Sequence, residues 1–292
     1  MGRMKLRIGA CVLSVIAMCW VAAEPGGAEG KETELSALSD SRSAGFDPWG
    51  ATHHRWPSLV DLHIGQEEHY YYWSRPNQRS LLRERTDTNP LNIWVGGDSL
   101  AGGPALGFRE LVREEGGWVY TEDVRKSTGV VSDWYFDWRK HLEEEVADGP
   151  YEVIVLSIGG NDWQGFRGGP TEKGSAEWAE KYLQRIQEIF QILDRPGRLL
   201  IWVGMPHFKV PFMVPLTDVV NAITREVFSN GERSVWVNAA SIVSPGGAWT
   251  KHVMRENGEL LEVRTDDGTH YQSSGARLIT DAVVAAVALK TG

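Results

Sequence analysis

The alternation of short apolar runs with amphipathic stretches limits the fold of this chain more than any other feature of its sequence. Each run is long enough for one buried strand, and each stretch between two runs has the spacing of a helix. Parallel strands need such crossovers, so the pattern predicts a parallel sheet with helices on both faces. We therefore expect an α/β fold, a three-layer α/β/α sandwich with a parallel five-stranded sheet. The predicted strands are Asn92–Val95, Val119–Val124, Val153–Ile158, Leu199–Gly204 and Val235–Asn238, and the predicted helices are Leu100–Glu115, Trp138–Ala147, Ser175–Leu193, Leu216–Phe228 and Ser273–Leu289.

One insertion into this pattern is expected before the last helix. Between Trp249 and Arg264, apolar residues flank the pair Asn257-Gly258. Asn-Gly favours the tight turns that join antiparallel strands, because both residues tolerate positive φ. The pair therefore predicts a β-hairpin.

The first 23 residues have the three-part pattern of a secretory signal. Arg3, Lys5 and Arg7 precede an apolar run from Ile8 to Ala23, and a polar segment begins at Glu24. The run has sixteen residues, fewer than the about 20 that a membrane-spanning helix needs. We expect a cleaved signal peptide, with an uncleaved membrane anchor as the alternative. Both interpretations predict an exported protein in the periplasm, in the cell envelope or secreted.

The remaining chain divides by composition. Residues 24–45 are rich in Gly, Ser, Ala and Glu and predict a flexible linker. Residues 46–90 are aromatic and irregular, and we interpret them as an N-terminal extension packed onto the domain. The predicted domain is residues 91–292, and its length suffices for one sizeable core.

Cysteine content and charge exclude two classes of function. Cys11 and Cys19 both lie in the predicted signal peptide, so the mature chain would have neither disulfides nor a thiol nucleophile. Without the three signal cations the formal charge of −9 becomes −12. No basic stripe is available to neutralise phosphates, so nucleic acid is not an expected partner.

Ser99 follows the first predicted strand in the segment Gly97-Asp98-Ser99-Leu100. In open parallel sheets the ligand crevice lies beyond the carboxyl ends of the strands. A hydroxyl at this strand-to-helix turn meets the positive end of the helix dipole, which favours developing negative charge. Ser99 is therefore a candidate nucleophile, and an ordinary N-cap serine is the alternative.

Two later loops carry candidate oxyanion donors. Ser127-Thr128-Gly129 follows the second strand, and its glycine could present a backbone N–H towards the crevice. Gly159-Gly160-Asn161-Asp162 follows the third strand, where the amide of Asn161 could do the same. A plain loop and an Asx turn are the respective alternatives.

The segment Asp267-Gly268-Thr269-His270 precedes the last helix. An aspartate three residues before a histidine can accept a hydrogen bond from Nδ1–H and leave Nε2 free to take a proton from a serine. His270 is the candidate base. Asp267 is the candidate orienting residue, and the adjacent Asp266 competes for that role.

In this order, the four segments resemble the four signature blocks of the SGNH (GDSL) hydrolases. The letters of that name correspond to Ser99, Gly129, Asn161 and His270, and the resemblance covers roughly residues 91–288. It implies a flavodoxin-like sandwich in which the serine attacks an acyl carbonyl. It also implies an oxyanion hole formed by the N–H groups of Ser99 and Gly129 and the side chain of Asn161, with no metal and no cofactor. The glycine block departs from the family in lacking a nearby asparagine.

Two longer stretches resemble an exported bacterial subgroup of this superfamily, long labelled a domain of unknown function. They are Trp134-Tyr135-Phe136-Asp137-Trp138 and the seven residues from Arg264 to His270. Some exported SGNH proteins act with membrane-bound O-acyltransferases to acetylate envelope polysaccharides. The resemblance therefore implies an esterase for acyl esters, acetyl above all, of envelope carbohydrate. An O-acyltransferase acting on a polysaccharide hydroxyl and a non-catalytic glycan-binding module are the alternatives.

Four further residues are candidates for substrate binding. Trp134 and Trp163 follow site loops, where aromatic faces could stack on sugar rings, although tryptophans usually serve packing. Asp98 stands beside the candidate nucleophile. Arg264 could bind an anionic group of the substrate or form a salt bridge to Asp266 or Asp98. The histidines of the extension fit no compact zinc motif, so we expect no metal site; they are His53, His54, His63 and His69.

Overall fold

The computed structural model describes residues 72–73, 81–255 and 257–291. The predicted signal peptide, the linker and most of the extension lie outside the described residues. Within them, the predicted α/β/α sandwich is confirmed. Five parallel strands form the sheet: β2 (Leu91–Gly97), β3 (Trp118–Val124), β4 (Val153–Ser157), β5 (Leu199–Val203) and β6 (Ser234–Val237).

The strand order places a topological switch at β2. A short antiparallel strand, β1 (Tyr72–Trp73), pairs with β6, and the sheet runs β1-β6-β5-β4-β2-β3. The chain leaves β2 for β3 on one side and then crosses back to β4 on the other. In such sheets the crevice at the carboxyl ends of the strands opens where the order reverses. The loops after β2 and β4 therefore meet at the position where a site is expected.

Helices cover both faces of the sheet. In one layer, α1 (Gly102–Glu114) and α5 (Ala239–Val243) contact α6 (Ser273–Leu289). In the other layer, α3 (Ala176–Leu193) packs between α2 (Trp138–His141) and α4 (Val214–Asn230). No described helix is long and apolar enough to cross a membrane.

Helix α3 shows why these sequences form helices. Ser175 caps it by accepting a hydrogen bond from the Trp178 N–H, which satisfies one orphan donor of the first turn. Its buried residues recur at helical spacing and give it one apolar face towards the core. They are Trp178, Ala179, Tyr182, Ile186, Ile189 and Leu193.

The predicted hairpin is present before α6. It pairs β7 (His252–Met254) with β8 (Leu260–Glu262) in antiparallel register. Gly258 has a φ of 82°, as the predicted Asn-Gly turn requires. The predicted helix Trp138–Ala147 differs in detail, because α2 continues as a π-helical turn over Leu142–Val146.

Candidate active site

Ser99 begins a 3-10 turn, Ser99–Ala101, directly after β2. Asp98 caps this turn through the Leu100 N–H. The Ser99 side chain is partly exposed, and neither its hydroxyl nor its backbone N–H has a hydrogen-bond partner among the described residues. The hydroxyl is therefore free to act on a ligand at the carboxyl edge of the sheet.

Asp98 is buried and connects the loops after β2 and β4 by hydrogen bonds. Its Oδ2 accepts hydrogen bonds from the Gly159 and Gly160 N–H groups, both at 2.8 Å, and its Oδ1 accepts one from Leu100 at 2.8 Å. The prediction that Asp98 binds substrate is wrong, because the residue is fully buried and both oxygens are occupied within the protein. Burial raises the pKa of Asp98 to about 7 against these hydrogen bonds, and the charge of Asp162 adds to the rise.

Asp162 and Asn161 connect the next pair of loops. The carboxylate of Asp162 accepts hydrogen bonds from the N–H groups of Val130 (3.0 Å) and Val131 (2.9 Å) and from the Tyr182 hydroxyl (2.9 Å). The Asn161 side-chain amide donates to the Thr128 carbonyl at 2.9 Å. Burial raises the pKa of Asp162, while the backbone and tyrosine hydrogen bonds oppose the rise.

Gly129 lies between these contacts, and its N–H has no acceptor among the described residues although the residue is buried. A Cβ at this position would overlap Oδ1 of Asp162, so no other residue fits the close approach. Buried backbone N–H groups are seldom left without an acceptor. The N–H groups of Ser99 and Gly129, together with the second amide hydrogen of Asn161, are therefore available to an oxyanion.

Asp267 and His270 are in direct contact. The His270 Nδ1 lies 2.7 Å from Oδ2 of Asp267, while Oδ1 accepts the N–H groups of Thr269 (2.8 Å) and His270 (3.0 Å). Burial acts to raise the pKa of Asp267, but hydrogen bonds from the Thr265 hydroxyl, the imidazole and these N–H groups outweigh it and hold the pKa well below its usual range. Asp266 instead pairs with Lys251 at 2.7 Å. Of the two adjacent carboxylates, Asp267 is the one that contacts the imidazole.

Arg264 holds the loop that carries His270. Its guanidinium donates to the carbonyls of His270 (3.2 Å), Thr269 (2.8 Å) and His207 (3.0 Å). Both predictions for this residue are wrong. It is fully buried, so it cannot bind a substrate anion, and its described partners are carbonyls and the Ser244 hydroxyl rather than a carboxylate.

Tyr271 sets the His270 loop against the beginning of α1. A Cβ on Gly103 would overlap the Tyr271 ring, which shows how closely the two segments pack. The His270 side chain is 42% exposed. No hydrogen bond joins it to Ser99 among the described contacts, and such pairs often tighten only when substrate binds.

The two tryptophans that are candidates for substrate binding lie at the surface, in the loops after β3 and β4. Trp134 is 56% exposed and Trp163 is 49% exposed. One face of each ring carries a cation, Arg167 over Trp134 and Lys173 over Trp163, and the rest of each side chain is open to solvent. No group of three or more metal-ligating side chains occurs among residues 81–255 and 257–291.

Comparison with families and solved structures gives the relatives of the chain. The sequence model of a family described as "Protein of unknown function (DUF459)" matches residues 92–286. No curated protein sequence matches.

Several solved structures are similar to this chain at low identity. A GDSL-like lipase from Bacteroides thetaiotaomicron is 14% identical, with a TM-score of 0.44 over 68% of this chain and 88% of that one. A carbohydrate acetylesterase family member from Sinorhizobium meliloti is 13% identical, with a TM-score of 0.44 over 68% and 98%. An acetyl xylan esterase from Geobacillus stearothermophilus is 14% identical, with a TM-score of 0.44 over 68% and 95%.

Proposed function

This chain belongs to the DUF459 family, and we propose that it is a serine esterase of the SGNH type that hydrolyses acyl esters through an acyl-serine intermediate. One observation carries the proposal. The Asp267–His270 pair and three N–H groups without acceptors belong to loops that buried side chains fasten to one edge of the sheet. A base, an orienting carboxylate and an oxyanion site are what acyl transfer to a serine requires.

The proposed reaction begins at the Ser99 hydroxyl. Its oxygen attacks the acyl carbon while the Nε2 of His270 takes the proton. Asp267 holds the Nδ1–H and stabilises the imidazolium that forms. The carbonyl oxygen becomes an oxyanion, which the N–H groups of Ser99 and Gly129 and the Asn161 amide stabilise.

The second half of the reaction regenerates the serine. The imidazolium gives its proton to the alcohol oxygen as the ester bond breaks, which leaves the acyl group on Ser99. A water then loses a proton to His270 and attacks the acyl-serine. The collapse of this second intermediate releases the acid, and the proton returns to the Ser99 oxygen. No metal or cofactor takes part in the proposed steps.

Hydrolysis of a small aryl acetate tests the proposal. Ser99→Ala and His270→Ala should each lower kcat by at least about a thousandfold, because each removes a chemical participant. His252→Ala is the matched control, since it removes an exposed histidine of the hairpin, and it should retain wild-type kcat. A serine-reactive phosphonate should label the wild type and not Ser99→Ala. Equal rates in all four proteins would refute the mechanism.

We propose acetyl esters of envelope carbohydrate as the substrates and export as the route of the protein to them. The exposed faces of Trp134 and Trp163 support a sugar ligand. The pattern of residues 1–23 supports export, with a membrane anchor as the variant in which it is not cleaved. Cell fractionation with an antibody against the chain tests this part, and recovery in the cytoplasm would contradict it.

An O-acyltransferase is the second candidate. The open imidazole could activate a polysaccharide hydroxyl as readily as water, because only the acceptor differs. A membrane-bound O-acyltransferase would then be a partner that supplies the acyl group. Acetyl transfer to purified envelope glycan in the presence of the acyl donor would favour it, and turnover with water alone would count against it. A glycan-binding module without catalysis would bind glycan and fail to react with the phosphonate.

A further inference from the structure

Four aromatic residues and three cations form a surface on the loops around the proposed site, which we name the aromatic–cation rim. Arg167 lies over Trp134 at 5.3 Å, Lys173 lies over both Trp163 (5.8 Å) and Phe212 (5.3 Å), and Lys209 lies over Trp249 (5.0 Å). A cation over an aromatic face leaves its remaining donors pointing to solvent. Arg167, Lys173 and Lys209 are all exposed.

The rim cations form no ion pair with a carboxylate of the described residues, and only Lys209 is close enough to one to lower its pKa, that of Asp266. Two acidic residues of these loops are paired with other cations, Asp133 with Arg185 (2.6 Å) and Asp266 with Lys251 (2.7 Å). Glu172 is exposed beside Lys173 and forms no ion pair with it. The rim therefore keeps positive charge available on a chain whose formal net charge is −9.

The rim cations are placed next to the proposed catalytic groups. Arg167 and Lys173 lie in the loop between β4 and α3, which also carries Asn161. The Lys209 N–H donates to the Gly268 carbonyl at 3.0 Å, two residues before His270. A ligand on these loops would therefore meet cations that lie over aromatic rings.

We propose that the rim binds a polyanionic glycan whose sugar rings carry carboxylates, so that the ester substrate is an acylated uronate polymer. The inference rests on the proposed esterase function, because it names the substrate of that site. The aromatic faces that the cations leave uncovered suit sugar rings, and cations at separate positions on two loops suit one charge per ring. A phosphate dianion would favour donors that converge on one point, which these cations do not.

Binding to the full-length Ser99→Ala chain tests the inference without turnover. The probes are an oligogalacturonate and a neutral xylo-oligosaccharide of equal length. We expect the oligogalacturonate to bind about tenfold more tightly at low salt, with the difference shrinking as salt screens the exposed charges. Equal affinities for the two probes would overturn the proposal.

Substitutions of the rim cations test whether the oligogalacturonate binds at the rim. In the Ser99→Ala chain, Arg167→Gln/Lys173→Gln should lower oligogalacturonate affinity by about tenfold, as expected for two exposed charge contacts. The matched control, Arg113→Gln/Arg195→Gln, removes the same charge at the opposite edge of the sheet and should change it less than about twofold. Glu172→Gln should strengthen binding, and Lys173→Arg should keep it. Equal losses in the two double variants would show a general charge effect and refute a rim site.

Other ligand classes give distinct results. Tighter binding of a phosphorylated oligosaccharide than of the oligogalacturonate would refute the carboxylate assignment. Binding to phosphatidylglycerol vesicles without binding to either oligosaccharide would show a membrane surface instead. If the wild type fails to hydrolyse aryl acetate while Ser99→Ala binds the oligogalacturonate, the esterase proposal fails and the glycan assignment stands.

Discussion

At the scale of single residues, Asp267 is the most constrained group of the proposed site. Its two oxygens contact the imidazole of His270, two backbone N–H groups and the Thr265 hydroxyl. These contacts fix both the carboxylate and the ring that it orients. Asp266 lies one residue away and is engaged with Lys251 at the surface. Asp266 and Asp267 thus allow a comparison of two carboxylates that carry the same charge and are adjacent in the sequence.

We predict that Asp267→Asn lowers kcat for aryl acetate by about a thousandfold, because the neutral amide can also donate to Nδ1, which favours the wrong tautomer, and carries no charge to stabilise an imidazolium. Asp266→Asn should stay within about threefold of the wild type, since Asp266 is exposed and its ion pair with Lys251 lies at the surface. Steady-state kinetics of both variants provide the measurement. The assignment of the orienting residue would be reversed if Asp266→Asn showed the larger loss.

The sequence could predict which loops lie at the carboxyl edge of the sheet, but not which polar residues hold them together. Ser99 and Asn161 stand in loops that directly follow parallel strands, and there the topology predicts a site. Asp98 and Arg264 carry charges that suggested ligand binding. Both are fully buried and satisfied by backbone groups from distant segments. Sequence does not show burial of this kind, because the partners are fixed only when the loops converge.

At the scale of elements, the decisive contact is between α1 and the loop before α6. Ser99 precedes α1, and Tyr271 follows His270, so the packing of the Tyr271 ring on Gly103 connects the segments that carry the proposed nucleophile and the proposed base. Gly102, one residue earlier, has open space where a Cβ would point. The two glycines therefore separate a packing effect from a change in helix propensity.

We predict that Gly103→Ala lowers kcat by about tenfold to a hundredfold, because the added methyl group displaces α1 from Tyr271 and misaligns Ser99 and His270. Gly102→Ala should keep kcat within about threefold and the free energy of unfolding within about 1 kcal/mol. Kinetics and urea unfolding of both variants test this. Equal activity in the two variants would mean that the contact does not position the catalytic pair.

Elements were more predictable than their ends and edges. The five parallel strands and the helix Ser273–Leu289 follow from apolar periodicity, which reflects burial directly. The antiparallel strand β1 does not, since it has two residues and depends on the exposed edge of β6 for its pairing. The π-helical turn after α2 could not be predicted from the sequence either, because it has the composition of an ordinary helix end.

At the scale of the whole molecule, buried carboxylates connect site assembly to stability. Asp98 bridges the loops after β2 and β4, and Asp162 bridges those after β4 and β3. Burial raises the pKa of both groups. With a pKa of about 7, Asp98 in the folded protein holds a proton at pH values at which the unfolded chain has released it. Moving two carboxylates from water into the protein interior costs free energy. Hydrogen bonds from the backbone N–H groups offset part of that cost.

The sign of the resulting pH dependence follows from the Asp98 pKa of about 7, against 3.8 in the unfolded chain. The folded state binds more protons between these values, so the stability associated with Asp98 is present at low pH and is lost as the pH rises towards 7.

We predict that the free energy of unfolding of the wild type, relative to that of Asp98→Asn, falls by about 2 to 4 kcal/mol between a pH of about 4.5 and a pH of about 8. Urea unfolding at both pH values measures this. Asp266→Asn is the control, because the pKa of its carboxyl is lowered and its partner is a lysine that stays charged across this range, so its difference from the wild type should stay nearly constant. If the difference for Asp98→Asn did not change with pH, the three N–H donors would fully offset the effect of burial on the pKa of Asp98. Its carboxylate would then be ionised in the folded state at both pH values.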